Sequence, residues 1–240
     1  MNAKPSTLLV INPNSTQVVT DHISLALEVF RRPGSNEGPR IVCETLTSGP
    51  PGIESQAHVD GISEKLIAWF EAHPHYRNVD AVVLACFSDP GMVALRETIS
   101  ASVFGSAECA YLTAAAMGDK FGVISILSRA IGRHKRQVRL LGLEHKLAED
   151  LPIEVNVVDL VKEDLTFTRM LSVGKTLIDK HGARVIIMGC AGMARYRARL
   201  EAELGVPVID PSQAGVAMAI GQLLVRGMAA GSTAVTKKAA

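Results

Sequence analysis

Apolar residues recur along this chain as continuous, β-branched blocks, and each block is followed by a stretch with helical spacing. LLVIN precedes 16–31, IVCETL precedes 54–72, AVVLAC precedes 90–101 and FGVISIL precedes 130–148. EVNVVDL then precedes 164–181, VIIMGC precedes 194–204 and VPVID precedes 212–229. A strand that is apolar along its whole length is covered on both faces, and strand–helix alternation builds parallel sheets through right-handed crossovers. The expectation is an α/β fold. Local signals agree: Ser15 or Thr16 can cap the first helix, Asp89 precedes Pro90 as N-cap before N1, and Pro211-Ser212 follows the strand ending at Asp210.

Divided near Ala101, the chain gives two comparable segments, each with a strand, a cysteine, a glycine-bearing turn and a helix. Two similar lobes are expected, 102–208 forming the second and 1–101 the first. Residues 209–240 are assigned to the first lobe as a returning segment. The stretch 33–40, PGSNEGPR, reads as a surface turn, and 230–240, AGSTAVTKKAA, as a loose tail.

Charge and cysteine usage narrow the function. Lys and Arg total 25 against 24 Asp and Glu, so no net field draws nucleic acid or an anionic membrane, and a small-molecule partner is expected. The apolar run before Asn12 is too short for a signal segment or a membrane span, which points to the cytoplasm. Four cysteines lack C-x-x-C spacing and seven histidines lack ligand spacing, so neither disulfides nor a metal site is expected.

Cys86 and Cys190 each close an apolar run and open a turn into a helix, in VDAVVLACFSDPGM and GARVIIMGCAGMAR. Strand ends of a doubly wound sheet are where ligands bind. A helix N-terminus favours thiolate, and a thiolate facing a thiol can take a proton from one side of a carbon and return one to the other. Cys43, inside a strand, and Cys109, in a helical stretch, lack that setting and are assigned to packing. INPNST at 11–16 offers amide groups and helix N-terminal N–H groups to a carbonyl-rich ligand, and TLTSGPPGIESQ at 45–56 falls at the same rim.

INPNST, GPPGIES, ACFSDPG at 85–91, GSAE at 105–108, GCAGM at 189–193 and GVPVID at 205–210 together resemble the Asp/Glu/hydantoin racemase superfamily, within it the hydantoin and allantoin racemase branch. The resemblance runs from about Leu9 to Leu224. It implies two Rossmann-like lobes with mainly parallel sheets, related by a pseudo-twofold axis, with the active site in the cleft between them. It also implies a homo-oligomer, no cofactor, and a two-base proton transfer by Cys86 and Cys190. Asn14, Gly49, Pro50, Phe87, Ser88, Glu108, Ser125, Ala191 and Gly192 match substrate-binding positions.

Amino-acid racemases of the superfamily carry Asn-Thr after the first cysteine and Thr-Glu after the second, whereas this chain has Phe87-Ser88-Asp89 and Ala191-Gly192-Met193. The second turn supplies N–H donors and no anion, which suits a neutral acylurea ring better than a zwitterion. Ile126 stands in Ser125-Ile126-Leu127-Ser128-Arg129 where relatives have a second hydroxyl, and 56–60 also departs from the pattern. Glu54 is read as a cap or ligand, His58 as a surface or packing histidine, HPHY at 73–76 as a loop, and Arg133, Lys135 and Arg136 as a solvated helix face. A racemase of 5-monosubstituted hydantoins or allantoin is the leading reading. A maleate-isomerase-like or decarboxylating enzyme, and a non-catalytic binder of small molecules, are the alternatives.

Overall fold

The computed structural model describes residues 6–31 and 39–236, with 228–236 as backbone alone. The surface turn expected over 33–40 lies outside the described residues as far as 38, and so do residues 237–240 of the expected loose tail.

Strands β1 (Thr7–Asn12), β2 (Arg40–Thr45), β3 (Ala81–Leu84) and β4 (Ser102–Gly105) form one four-stranded sheet in the order β2-β1-β3-β4. Strands β5 (Phe121–Ser125), β6 (Leu147–Pro152), β7 (Val185–Met188) and β8 (Val208–Ile209) form the other, in the order β6-β5-β7-β8. Every recorded pairing is parallel. Counted within its own half, each sheet reads second, first, third, fourth, so one topology is built twice. β3 and β7 are the equivalent third strands, buried throughout as their unbroken apolar sequence requires.

The helices are α1 (Gln17–Ala26), α2 (Gln56–Asp60), α3 (Ile62–Ala72), α4 (Met92–Thr98), α5 (Ser106–Met117), α6 (Ser128–Leu140), α7 (Glu163–Asp179), α8 (Arg197–Leu204) and α9 (Pro211–Thr236). Alternate residues of each strand serve opposite faces. Leu9, Ile11, Val82 and Leu84 pack with Ile62, Leu66 and Phe70 of α3. Phe121, Val123, Val185 and Ile187 pack with Ala110, Tyr111 and Ala114 of α5. A third cluster runs through both lobes, joining Leu8, Val10 and Val83 to Ile124, Ile186 and Met188. α9 returns across β1, β3 and β4 while α5 lies against β7 and β8, so the first lobe covers its sheet partly with helix from beyond its own run of chain.

Several boundaries differ from expectation for identifiable reasons. β4 is a strand where none was expected, because SVFG is four residues long with only two of them buried. With β4 in the first sheet and Ile209 of β8 in the second, the sheet limits run on from 101 to Gly105 and from 208 to Ile209. EVNVVDL at 154–160 is not a strand. Its place is taken by β6, LAEDLP, an edge strand whose polar residues hide it, while Val155, Val157 and Leu160 are buried from an irregular segment containing a 3-10 turn at Val157–Asp159. The helix expected over 130–148 ends at Leu140, the one expected over 90–101 spans only Met92–Thr98, and the last helix continues to Thr236 through most of the expected loose tail.

Candidate active site

Each sheet reverses its winding between its first and third strands, the crevice where open α/β sheets receive ligands. Asn14 follows β1 and Cys86 follows β3; Ile126 follows β5 and Cys190 follows β7. All four line one cavity of about 30 Å3 between the lobes, with Ile53, Phe87, Ser88, Val157, Ala191 and Gly192 among the other walls. That volume holds about two waters. The lobes are closed over it by polar contacts: Glu54 bonds Arg129 at 2.7 Å and the Val157 N–H at 2.9 Å, Arg136 bonds Gln56 at 2.9 Å, and Gln137 bonds Asp89 at 2.7 Å.

Both thiols are free, and each keeps some accessible surface, yet protein encloses them closely enough to penalise a charge. Burial drives the Cys86 thiol far above its ordinary range; the charges of Cys190 and Asp89 add to this, while the Ser88 N–H and the Arg133 guanidinium oppose it. Cys190 is pushed up to about 11 by burial, against the N–H of Gly192 and with the charges of Glu54 and Asp210 raising it further.

The turns that carry the thiols are fixed by unusual contacts. Gly189 donates to the Ile124 carbonyl at 2.8 Å, extending the parallel β5–β7 ladder, and a Cβ on it would sit 2.7 Å from that oxygen, so the end of β7 lies tight against the end of β5. Asp89, at φ 42°, accepts from Ala107 N–H at 2.9 Å and Glu108 N–H at 2.8 Å. It thereby caps α5 from the turn after Cys86 rather than acting as an N-cap before Pro90. Burial pushes its carboxyl up to about 7 against those donors and Gln137.

Asn14 Oδ1 is engaged by Asn12 Nδ2 at 3.1 Å and Thr16 N–H at 3.0 Å, which leaves its amide N–H pair to offer a ligand. Phe87, Ser88, Ala191 and Gly192 also line the cavity, whereas four other expected substrate-binding residues do not. Gly49 and Pro50 sit behind the first turn. A Cβ on Gly49 would meet the Pro13 carbonyl at 2.4 Å, and the Pro50 carbonyl accepts from Ser15 N–H at 3.0 Å, so this loop braces the Asn-Pro-Asn turn. Glu108 pairs with Arg96 at 3.2 Å on the wall of a separate outer groove. Ser125 is fully buried and bonds His134 Nδ1 at 3.0 Å and the Asp150 carboxylate. It orients a buried His134–Asp150 pair, 2.8 Å apart, instead of reaching a ligand.

Two ionisable cavity residues lie where the sequence reading put none. His134 stacks edge-on to Phe87 with ring centroids 5.0 Å apart, and Arg133 is half-buried at the wall rather than on the solvated face that holds Lys135 and Arg136. The available signal was helical spacing: Ala130, His134 and Val138 form the buried stripe of α6, and Arg133 borders it. Among the described residues there is no cluster of three His, Cys, Asp or Glu able to hold a metal, and no helix long and apolar enough to cross a membrane.

Known proteins share both sequence and architecture with this chain. The family model described as Asp/Glu/Hydantoin racemase matches residues 8–219. A hydantoin racemase of Pseudomonas sp. (strain NS671) is 33% identical over 215 residues, covering 88% of this chain and 83% of that protein. The allantoin racemase from Klebsiella pneumoniae superposes with a TM-score of 0.81 at 27% identity, over 92% of this chain and 89% of its own. The allantoin racemase from Pseudomonas fluorescens superposes with a TM-score of 0.83 at 26% identity, over 92% and 91%. Two repeated parallel sheets, a cysteine at the equivalent strand end of each and this length of matched sequence lead to one conclusion: the chain belongs to the Asp/Glu/hydantoin racemase family.

Proposed function

We propose that this protein is a cofactor-independent racemase of 5-monosubstituted hydantoins or of allantoin, with Cys86 and Cys190 as its two bases. The observation that carries the reading is that both thiols line one cavity from topologically equivalent strand ends. In the cycle, the thiolate of one cysteine takes the proton from C5 of the ring and becomes a thiol. The electron pair of that C–H bond moves onto the neighbouring carbonyl as an enolate. The other cysteine, a thiol at the start, protonates the opposite face and is left as thiolate, ready for the reverse passage.

The cavity walls favour a neutral ring over an amino acid. Asn14 offers N–H donors, and Gly192 offers a backbone N–H beside the Cys190 sulfur, while the Ser88 N–H is spent on the Cys86 carbonyl at 2.8 Å. The turn after Cys190 brings Ala191, Gly192 and Met193, and no carboxylate to meet an ammonium. Substrate enters by parting the Glu54–Arg129 and Gln56–Arg136 contacts, since the cavity between the lobes has room for only about two waters as it stands. Division into two lobes at the sheet limits, a cytoplasmic location and a homo-oligomer belong to the same proposal.

The test is a racemisation screen of enantiopure 5-alkyl, 5-aryl and ureido hydantoins beside L-aspartate and L-glutamate, followed by chiral chromatography. At least one hydantoin is expected to racemise faster than either free amino acid. Faster turnover of glutamate than of every hydantoin would refute the substrate class.

A further inference from the structure

Removing the C5 proton puts a full negative charge on the adjacent carbonyl oxygen, and an enzyme that does this in a dry cavity needs a donor already aimed at that oxygen. Arg133 has the properties of such a donor. Its Nε is buried with no hydrogen-bond partner, and its one recorded bond is a long one, 3.4 Å from Nη1 to the carbonyl of Arg129 on its own helix. The neighbouring cations of α6 are engaged: Arg129 by Glu54 at 2.7 Å, Lys135 by Glu149 at 2.8 Å and Arg136 by Gln56 at 2.9 Å. Among the described residues no carboxylate is ion-paired with Arg133.

Its place in the fold is equally specific. Arg133 and Ser88 line both the inner cavity and the outer groove of about 330 Å3, so they stand where the two meet. A guanidinium cannot shed its charge, and a half-buried one without a partner is costly to keep. Arg133 lines the same cavity as Cys86; burial disfavours the cation and a charge on Cys86 favours it.

We propose that Arg133 is a further catalytic residue of the racemase read above: its guanidinium donates to the carbonyl oxygen beside C5 and holds that oxygen as the enolate forms. The proton moves between carbon and sulfur as before, and Arg133 keeps all of its own protons throughout. An enolate is common to both directions of the reaction, so Arg133 serves both enantiomers.

The experiment follows C5–H exchange in heavy water, starting from each pure enantiomer, for wild type, Arg133→Gln and Arg133→Lys, with a thermal melt of each. Arg133→Gln is expected to slow exchange from both enantiomers by about 10²–10³-fold, in kcat more than in KM, with partial recovery in Arg133→Lys. The loss is expected to be larger for a 5-alkyl than for a 5-aryl hydantoin, because the more acidic aryl-substituted carbon needs less help. Three results would overturn the proposal: no loss, a KM effect confined to substrates with an anionic substituent, or an equal loss for all substrates accompanied by a lowered melting temperature. Failure of wild type to exchange any hydantoin would remove the racemase reading itself and this role with it, an outcome separate from an active wild type indifferent to Arg133.

Discussion

Cys86→Ser and Cys190→Ser are each expected to lower racemisation by about 10²–10⁴-fold, the span attributable to a positioned acid or base. A serine hydroxyl is a far weaker acid than a thiol and stays neutral in a site that already disfavours charge on sulfur. Both directions of racemisation fall together, since each passage uses both residues. Isotope exchange separates them. With one thiol left, the enantiomer whose proton faces that sulfur can still lose it and regain a solvent deuteron on the same face, whereas the other enantiomer stays inert. The two variants should therefore spare opposite enantiomers, read by proton NMR of the C5–H signal. Variants that spare the same enantiomer, or that leave racemisation intact, would mean that the sulfurs do not address opposite faces.

Gly189→Ala is expected to be nearly as damaging without touching a reacting group. The added Cβ would stand 2.7 Å from the Ile124 carbonyl and 3.2 Å from the Ser125 Cα, both main-chain atoms that cannot rotate away. Relief requires the end of β7 to move off β5, and Cys190 moves with it. Misplacing a catalytic group by an ångström costs about 10²-fold in rate, and overpacking of this kind costs about 1–3 kcal/mol of stability. Gly132→Ala is the control, because Gly132 is exposed in α6 and the nearest atom to its added Cβ is 3.9 Å away. It should raise stability by about 0.5–1 kcal/mol through helix propensity. Denaturant titrations and kcat of the two variants decide the matter; equal, mild effects would contradict the tight contact between the two strand ends.

The sequence was most readable where burial is symmetrical. β3 and β7 are covered on both faces, so AVVL and VIIM are apolar without interruption and announce both the strand and the turn that follows. Edge strands carry no such mark. In β6 the charged pair of LAEDLP reflects a contact from a different element, since Asp150 is buried against His134 of α6. The apolar residues of EVNVVDL mimic a strand because Val157 walls the cavity and Leu160 fills the core cluster shared by the lobes.

The same distinction holds at the site. Residues in the turns directly after strands, Asn14, Cys86, Ser88, Cys190 and Gly192, could be located from the strand ends and reach the cavity. Gly49 and Pro50 follow a strand too, but their loop folds back behind residues 13–16 and spends its carbonyls on that turn. Arg133 and His134 reach the cavity from the side of a helix in the opposite lobe from Cys86. Linear sequence holds no sign of which lobe a helix face will meet across a cleft.

The central claim is that two separate sulfurs act on opposite sides of one carbon, and wild-type enzyme in heavy water tests it most directly. Starting from a single enantiomer of a turned-over hydantoin, early samples are resolved by chiral chromatography and each fraction is weighed for deuterium by mass spectrometry. Two bases predict deuterium at C5 of the newly formed enantiomer and essentially none in the recovered starting one. Deuterium entering both at equal rates from the first turnovers would mean that a single group works on both faces, contrary to a paired-thiol site.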